Sequence, residues 1–301
     1  MVAGKANYLA RLWELRHFWY LLVRFDLRNR YKGSYLGIGW SLAKPFGMTA
    51  VLCLVFGKLF QKSYIEFAPF LLVGMTVWQF ITESVMNGCH SFSASKSFLF
   101  QRRIPLAALP LRTVLACTFH SVMALTLAVV ITLLARSIAP VPSEPSSIAA
   151  GHPAPALLTE APTQAAQPAT VKPAPQLWPL IFLLPAFVLL FLFGWFLATI
   201  MSMATAHFPD ARHLAEIGLQ VLFYLTPIMY PPSLLEGRGR LTWFIELNPL
   251  TYLLNLFRVP ILDGIPPTAN DFLITMGLVA GLGFIVSVGL RRLERTMIFW
   301  I

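Results

Sequence analysis

Residues 28–45 read RNRYKGSYLGIGWSLAKP. Arg28, Arg30 and Lys32 come first, then Gly33, Gly37 and Gly39, and the chain turns apolar around Trp40. Glycine tolerates the sharp backbone turns that other residues resist. A charged segment is therefore joined to an apolar one through a flexible corner. That is the layout of a helix lying on a membrane surface followed by a helix that crosses it.

The rest of the chain fits that start. Of its 301 residues 57% are hydrophobic and 12% charged, and the mean hydropathy is +0.68. A soluble domain carries about a quarter charged residues. The apolar residues also gather in long runs, so the chain reads as an integral membrane protein. Cys53, Cys89 and Cys117 fall in or beside those runs and imply no disulfide framework. The first 25 residues interleave charges with apolar positions and show no small-residue cleavage pattern, so they do not read as a signal peptide.

Six segments are apolar enough to be membrane helices, near 38–60, 67–88, 112–135, 178–203, 214–230 and 272–290. A crossing helix needs about 20 residues. The fifth is short and should break at Pro227, Pro231 and Pro232; the sixth is short and rich in glycine. With the N-terminus inside, fifteen Lys and Arg fall on inner pieces and seven, Arg258 among them, on outer ones. This excess favours both termini in the cytoplasm. It also accounts for the net charge of +10 without nucleic acid.

Residues 7–25 have a helical pattern that does not span. Tyr8, Leu12, Leu15, Trp19 and Leu22 form one side, with Glu14, His17, Arg24 and Arg28 opposite. Residues 138–177 contain nineteen Pro or Ala among forty and no aromatic residue. They read as an extended, disordered outer tether. The connection 231–271 differs. Leu250, Leu253, Leu254 and Phe257 sit at helical spacing, which predicts one or two short helices dipping back toward the membrane.

Catalytic signatures are missing. There is no G-x-x-x-x-G-K-[ST], G-x-S-x-G or H-E-x-x-H, so this chain should not bind ATP itself. His207, Asp210, His213 and Glu216 are spaced by three, which drifts around a helix, and Pro209 interrupts them. They read as a polar turn, and no metal site is expected. Glu83 and His120 lie inside apolar segments, where ionisable groups are functional hypotheses by default. Glu83 bonded to a neighbour is the plainer reading. Tyr35, Trp40, Phe46, Phe56, Phe60, Phe223, Tyr224 and Tyr230 crowd the first and fifth segments. For most of them lipid-facing belts or helix packing explain the crowding. Aromatic faces also hold sugar rings weakly and repeatedly, as a sliding polymer requires.

The stretch RYKGSYLGIGWSLAKP resembles the start of the first membrane helix in permease subunits of ABC transporters of the polysaccharide and polyol phosphate export family, which includes O-antigen, capsule and teichoic acid exporters. The residues that carry it are Tyr31, Gly33, Leu36, Gly37, Trp40 and Pro45. LQVLFYLTPIMYP (219–231) and LNPLTYLLNLFRVPILDG (247–264) are similar to the family's fifth helix and outer re-entrant region. SKSFLFQRRIPLAALP (95–110) is similar, more weakly, to the loop between helices two and three. The family's Arg-Asp pair before helix five is not matched: Pro209 precedes Asp210 here. The long Pro/Ala loop is not typical either.

The resemblance implies an all-α membrane protein of six transmembrane helices in the inner membrane, both termini cytoplasmic. It would comprise an interface helix (1–36), helices one to three (37–137) with a coupling loop at about 89–111, the outer loop (138–177), helices four to six (178–290) with a re-entrant gate at 231–271, and a tail (291–301). Two such chains would pair as a homodimer above two cytoplasmic ABC ATPase subunits, which would bind ATP and Mg. Substrate-channel candidates are Tyr35, Trp40, Phe46, Phe56, Phe223 and Tyr224. Coupling candidates are Phe98, Arg102, Arg103 and Pro105. Outer-gate candidates are Tyr230, Pro231, Asn248, Pro249, Tyr252 and Arg258. The expected cargo is a lipid-linked glycan; the alternative is a lipid or drug carried by the same architecture. A membrane enzyme would need an acid, base or metal facing a cavity, and that constellation is not seen.

Overall fold

The computed structural model describes residues 16–30, 32–35, 37, 39–59, 63–95, 105–138, 177–231 and 247–296. Among them all regular structure is helical. The helices are α1 (Arg16–Arg30), α2 (Gly39–Leu59), α3 (Tyr64–Ser91), α4 (Ala108–Ile138), α5 (Leu183–His207), α6 (Ala211–Leu225), α7 (Pro249–Arg258) and α8 (Ala269–Thr296). Short 3-10 turns precede α5 at Trp178–Phe182 and follow α3 at Ser93–Ser95, and a π-helical turn, Val259–Asp263, follows α7.

Four described segments are long and apolar enough to cross a membrane: Phe67–Ser91, Ala108–Ala135, Trp178–His207 and Ala269–Leu293. In α2 the apolar stretch is shorter, Leu42–Gly57. At 15 residues and 1.5 Å each, α6 is about 22 Å long, less than the roughly 30 Å of hydrocarbon. It stops at Leu225, before the expected 230, because Pro227 lacks the N–H that the next turn would use. The sixth segment is not short: α8 runs 28 residues. Its apolar run ends near 290, but Arg291, Arg292 and Glu294 are good helix formers and the helix continues through them.

α3 is the centre of the molecule. It packs against α2, α4 and α5. Leu71, Val73, Val77 and Val114 are wholly buried. Small residues let α3 and α5 approach closely, Gly88 lying against the Ala198 backbone. Hydroxyls bridge the same seam: Ser91 to Ser202 at 2.6 Å, Ser202 to the Gly88 carbonyl at 2.8 Å, and Thr205 to the Cys89 carbonyl at 2.9 Å.

The expected corner before α2 is present. Gly33 and Gly37 have φ of 81° and 50°, left-handed values that favour glycine, and Ser34 Oγ accepts from the Gly37 N–H. Gly39 already belongs to α2. Of the interface helix, residues 7–15 lie outside the described residues, and α1 continues beyond 25 to Arg30. Tyr20, Leu21 and Phe25 are exposed, Leu22 is half-buried, and Asp26 pairs with Arg112 of α4 at 2.9 Å.

Candidate functional site at the broken end of α6

The last carbonyls of any helix lack intrahelical partners. Where apolar surroundings exclude water, leaving them bare costs several kcal/mol each. α6 ends in that situation: Thr226 turns extended, Pro227 follows, and Thr226, Pro227 and Ile228 are buried. Side chains from farther along the chain supply the missing donors.

The Tyr230 hydroxyl lies 3.3 Å from the Tyr224 carbonyl and 3.5 Å from that of Leu225. Both partners are carbonyl oxygens, so the hydroxyl is the donor. Asn248 Nδ2 donates to Thr226 Oγ1 at 2.9 Å and reaches toward the Leu225 carbonyl at 3.5 Å. Its Oδ1 accepts from the Leu250 N–H at 3.0 Å, which makes Asn248 the N-cap of α7, with Pro249 at the first helical position. One amide thus closes α6 and opens α7. Arg258, the last residue of α7, donates from Nη1 to the Pro227 carbonyl at 2.5 Å and from Nη2 to the Ile228 carbonyl at 2.9 Å. Its guanidinium carbon stands 3.8 Å over the Phe70 ring of α3.

Four of the six outer-gate candidates, Tyr230, Asn248, Pro249 and Arg258, therefore meet in one cap. Pro231 ends the described stretch half-buried, and Tyr252 is half-buried on α7. Arg258, counted among the charges on outer pieces, is only 5% exposed. The guanidinium is held inward by the two carbonyls that its planar fork serves together.

The cap extends to α8. Asp271 Oδ2 accepts from Thr268 N–H and Oγ1 at 3.1 and 2.6 Å, and Thr268 Oγ1 accepts from the Asp271 N–H at 3.2 Å. Asn255 of α7 donates to Asp271 Oδ1 at 3.3 Å. Sequence reasoning missed Asn255, Asp271, Phe70 and Gly74. Only the Thr268-x-x-Asp271 spacing, a capping-box signature, could have pointed to any of them.

The channel candidates divide. Tyr35, Trp40 and Tyr224 are exposed, Trp40 at 63% and Tyr224 at 57%. Phe46, Phe56 and Phe223 pack against the main core, with Phe223 5.6 Å from Trp78 of α3. Among the coupling candidates, Phe98, Arg102 and Arg103 lie outside the described residues, as does Phe60 of the aromatic set. Pro105 is half-buried where its carbonyl accepts from the Ala108 N–H at the start of α4. Glu83 is bonded to a neighbour, accepting from Gln79 at 2.8 Å, and shares a cavity of about 20 Å³ with His120 and Pro45. His207 and Asp210 flank the α5–α6 turn; Arg212, His213 and Glu216 are exposed on α6.

Residues 166–262 match the ABC-2 type transporter family, a stretch that includes α5, α6, α7 and most of the cap. The chain is similar to the O-antigen export system permease protein RfbA of Myxococcus xanthus, 24% identical over 250 residues, or 82% of this chain and 81% of that protein. It is similar also to two Klebsiella pneumoniae proteins of the same name, each 23% identical over 81% of this chain and 80% of theirs. About a third of the chain thus matches the ABC-2 type transporter model, and its similarity to O-antigen export system permease proteins extends over about four-fifths of its length.

Proposed function

We propose that the chain is the membrane permease subunit of an ATP-driven ABC exporter that moves a lipid-linked polysaccharide, O-antigen-like or of the capsule or teichoic acid type, across the cytoplasmic membrane. The observation that carries the reading is the similarity to export permeases over four-fifths of both chains. In this reading α2 and α6 complete six passes with the four longer helices. Two copies pair, and two ATPase subunits, which bind ATP and Mg, dock below at the 89–111 loop and α1. The arrangement of helix ends supports it. α1, the start of α4 and the C-terminal part of α8 gather at one end, where Phe92, Leu106, Leu109, Leu290 and Leu293 form a separate apolar cluster. The α6–α7 cap and the start of α8 join at the other. The first end would face the cytoplasm and the cap would close the outer mouth.

The test is purification of the tagged chain from its own membrane after mild in-membrane crosslinking. The expected result is a stoichiometric partner with a P-loop, whose ATP hydrolysis responds to added lipid-linked glycan. A chain that stays alone after crosslinking would overturn the reading. Hydrolysis that responds to lipid or drug but not to glycan would reassign the cargo.

A further inference from the structure

We infer that Arg258 is a latch: its guanidinium holds α7 onto the broken end of α6, and α7 is released when water takes its place on the Pro227 and Ile228 carbonyls. The inference deepens the export reading, because in an exporter this latch would hold the outer gate shut; its geometry and its test do not depend on export.

Three features single Arg258 out. First, it is a cation buried inside the protein, where a charge is costly, and among the described residues no carboxylate forms an ion pair with it. Its charge is balanced by two carbonyl dipoles and the Phe70 face. Second, its Nε–H is buried without a hydrogen-bond partner among the described residues. The guanidinium is thus incompletely satisfied inside the protein, and water would satisfy it better. Third, the two carbonyls have the same need, since a broken helix end cannot stand bare in apolar surroundings. Each side of the contact is tolerable only with the other or with water. That is the condition for two alternative arrangements rather than one rigid one.

The surroundings leave room for the latch and for little else. Gly74 of α3 faces it, and a methyl group there would overlap a guanidinium nitrogen and stand 3.4 Å from Ile228 Cγ2. Glycine at 74 is what lets the guanidinium lie flat between α3 and the α6 break. Beyond Arg258 the chain passes through the π-helical turn to Gly264, whose φ of 68° suits a pivot. Position 74 therefore offers a way to disturb the latch from a different element, without removing the arginine.

The experiment is hydrogen exchange, read by peptide, on the full chain purified with any subunits that accompany it. The variants are Arg258→Met, Arg258→Lys, Gly74→Ala and the Gly74→Ala/Arg258→Met double. Arg258→Met and Gly74→Ala should each speed exchange in 224–231 and 249–263 by about tenfold or more, the scale set by losing one charge-assisted hydrogen bond. Segments in α3, α4 and α5 should stay as protected as in the parent. The double variant should be no faster than the faster single, because both changes break the same contact. Arg258→Lys should fall between, since an ammonium keeps the charge and its donors but lacks the planar fork that sets two N–H groups on the two carbonyls together. Local exchange unchanged in folded Gly74→Ala, additive effects in the double variant, or equal loss of protection throughout the chain would each overturn the latch. Gly74→Ala alone suffices if Arg258→Met does not fold. Because exchange is read without transport, the latch and the export reading can fail separately.

Discussion

Asp26 and Arg112 show how little a short ion pair says by itself. The contact is 2.9 Å, with side-chain exposures of 32% for the acid and 11% for the base. Burial is the larger influence on Asp26 and raises its pKa; Arg112 lowers it by less. The folded pKa therefore stands above the unfolded one. The sign follows: the unfolded chain gives up this proton first, so the group's contribution is fully present below the unfolded pKa and is lost as pH rises through the folded one. At neutral pH the carboxylate is a net burden. Asp26→Asn should hold or raise the melting temperature at pH 7, with the gain over the parent vanishing below about pH 4. Arg112→Ala should lower it, because a half-buried carboxylate is left without its cation. Thermal unfolding in detergent across that range checks both; a loss in Asp26→Asn at pH 7 would show the pair to be stabilising after all. Arg258 makes the complementary point about what could be read in advance. The family pattern around LNPLTYLLNLFR marks it as an outer-gate candidate, but nothing in that stretch shows its burial. The carbonyls that draw it inward are 30 and 31 residues away in sequence.

At the scale of elements, the hydrophobic pattern placed the helices well and their ends poorly. Apolar runs locate α2 through α5 within a few residues because length and hydropathy are properties of the run itself. Ends depend on what caps them. Pro227 was legible as a stop signal, yet the donors that make the stop tolerable come from Tyr230, Asn248 and Arg258. The start of α8 lies before its apolar run, fixed by the reciprocal bonds of Thr268 and Asp271. The same carboxylate ties down Asn255 of α7. Asp271→Ala should therefore cost about 1–2 kcal/mol, the worth of a good cap plus one side-chain bond. Exchange should rise at 249–258 as well as at 268–272, since two helices share the group. Exchange that rises only at 268–272 would show that Asp271 caps α8 without holding α7.

At the scale of the molecule, the question is which aromatic residues serve packing and which are left for a cargo or a second copy. The sequence grouped Tyr35, Trp40, Phe46, Phe56, Phe223 and Tyr224 as one set because residue type and segment were all it could compare. Packing splits the set. Phe223 sits against Trp78 and the Tyr224 ring, joining α6 to the α3 centre of the fold. Trp40, one residue into α2, is 63% exposed beside the fully exposed Tyr35. A residue that carries fold and one that carries function should respond to truncation in opposite ways. Phe223→Ala should lose a sizeable part of the roughly 3 kcal/mol that deleting a buried phenyl ring costs, seen as a lower melting temperature and less assembled complex. On the proposed export function, Trp40→Ala should leave the melting temperature and recovery of an ATPase partner unchanged and reduce glycan export several-fold, because the indole makes few contacts within its own chain to lose. The two variants are to be compared in the same membranes for complex recovered and glycan exported per complex. Export per complex that falls in Phe223→Ala and holds in Trp40→Ala would reverse the assignment and move the proposed glycan path to α6 and away from the glycine corner between α1 and α2.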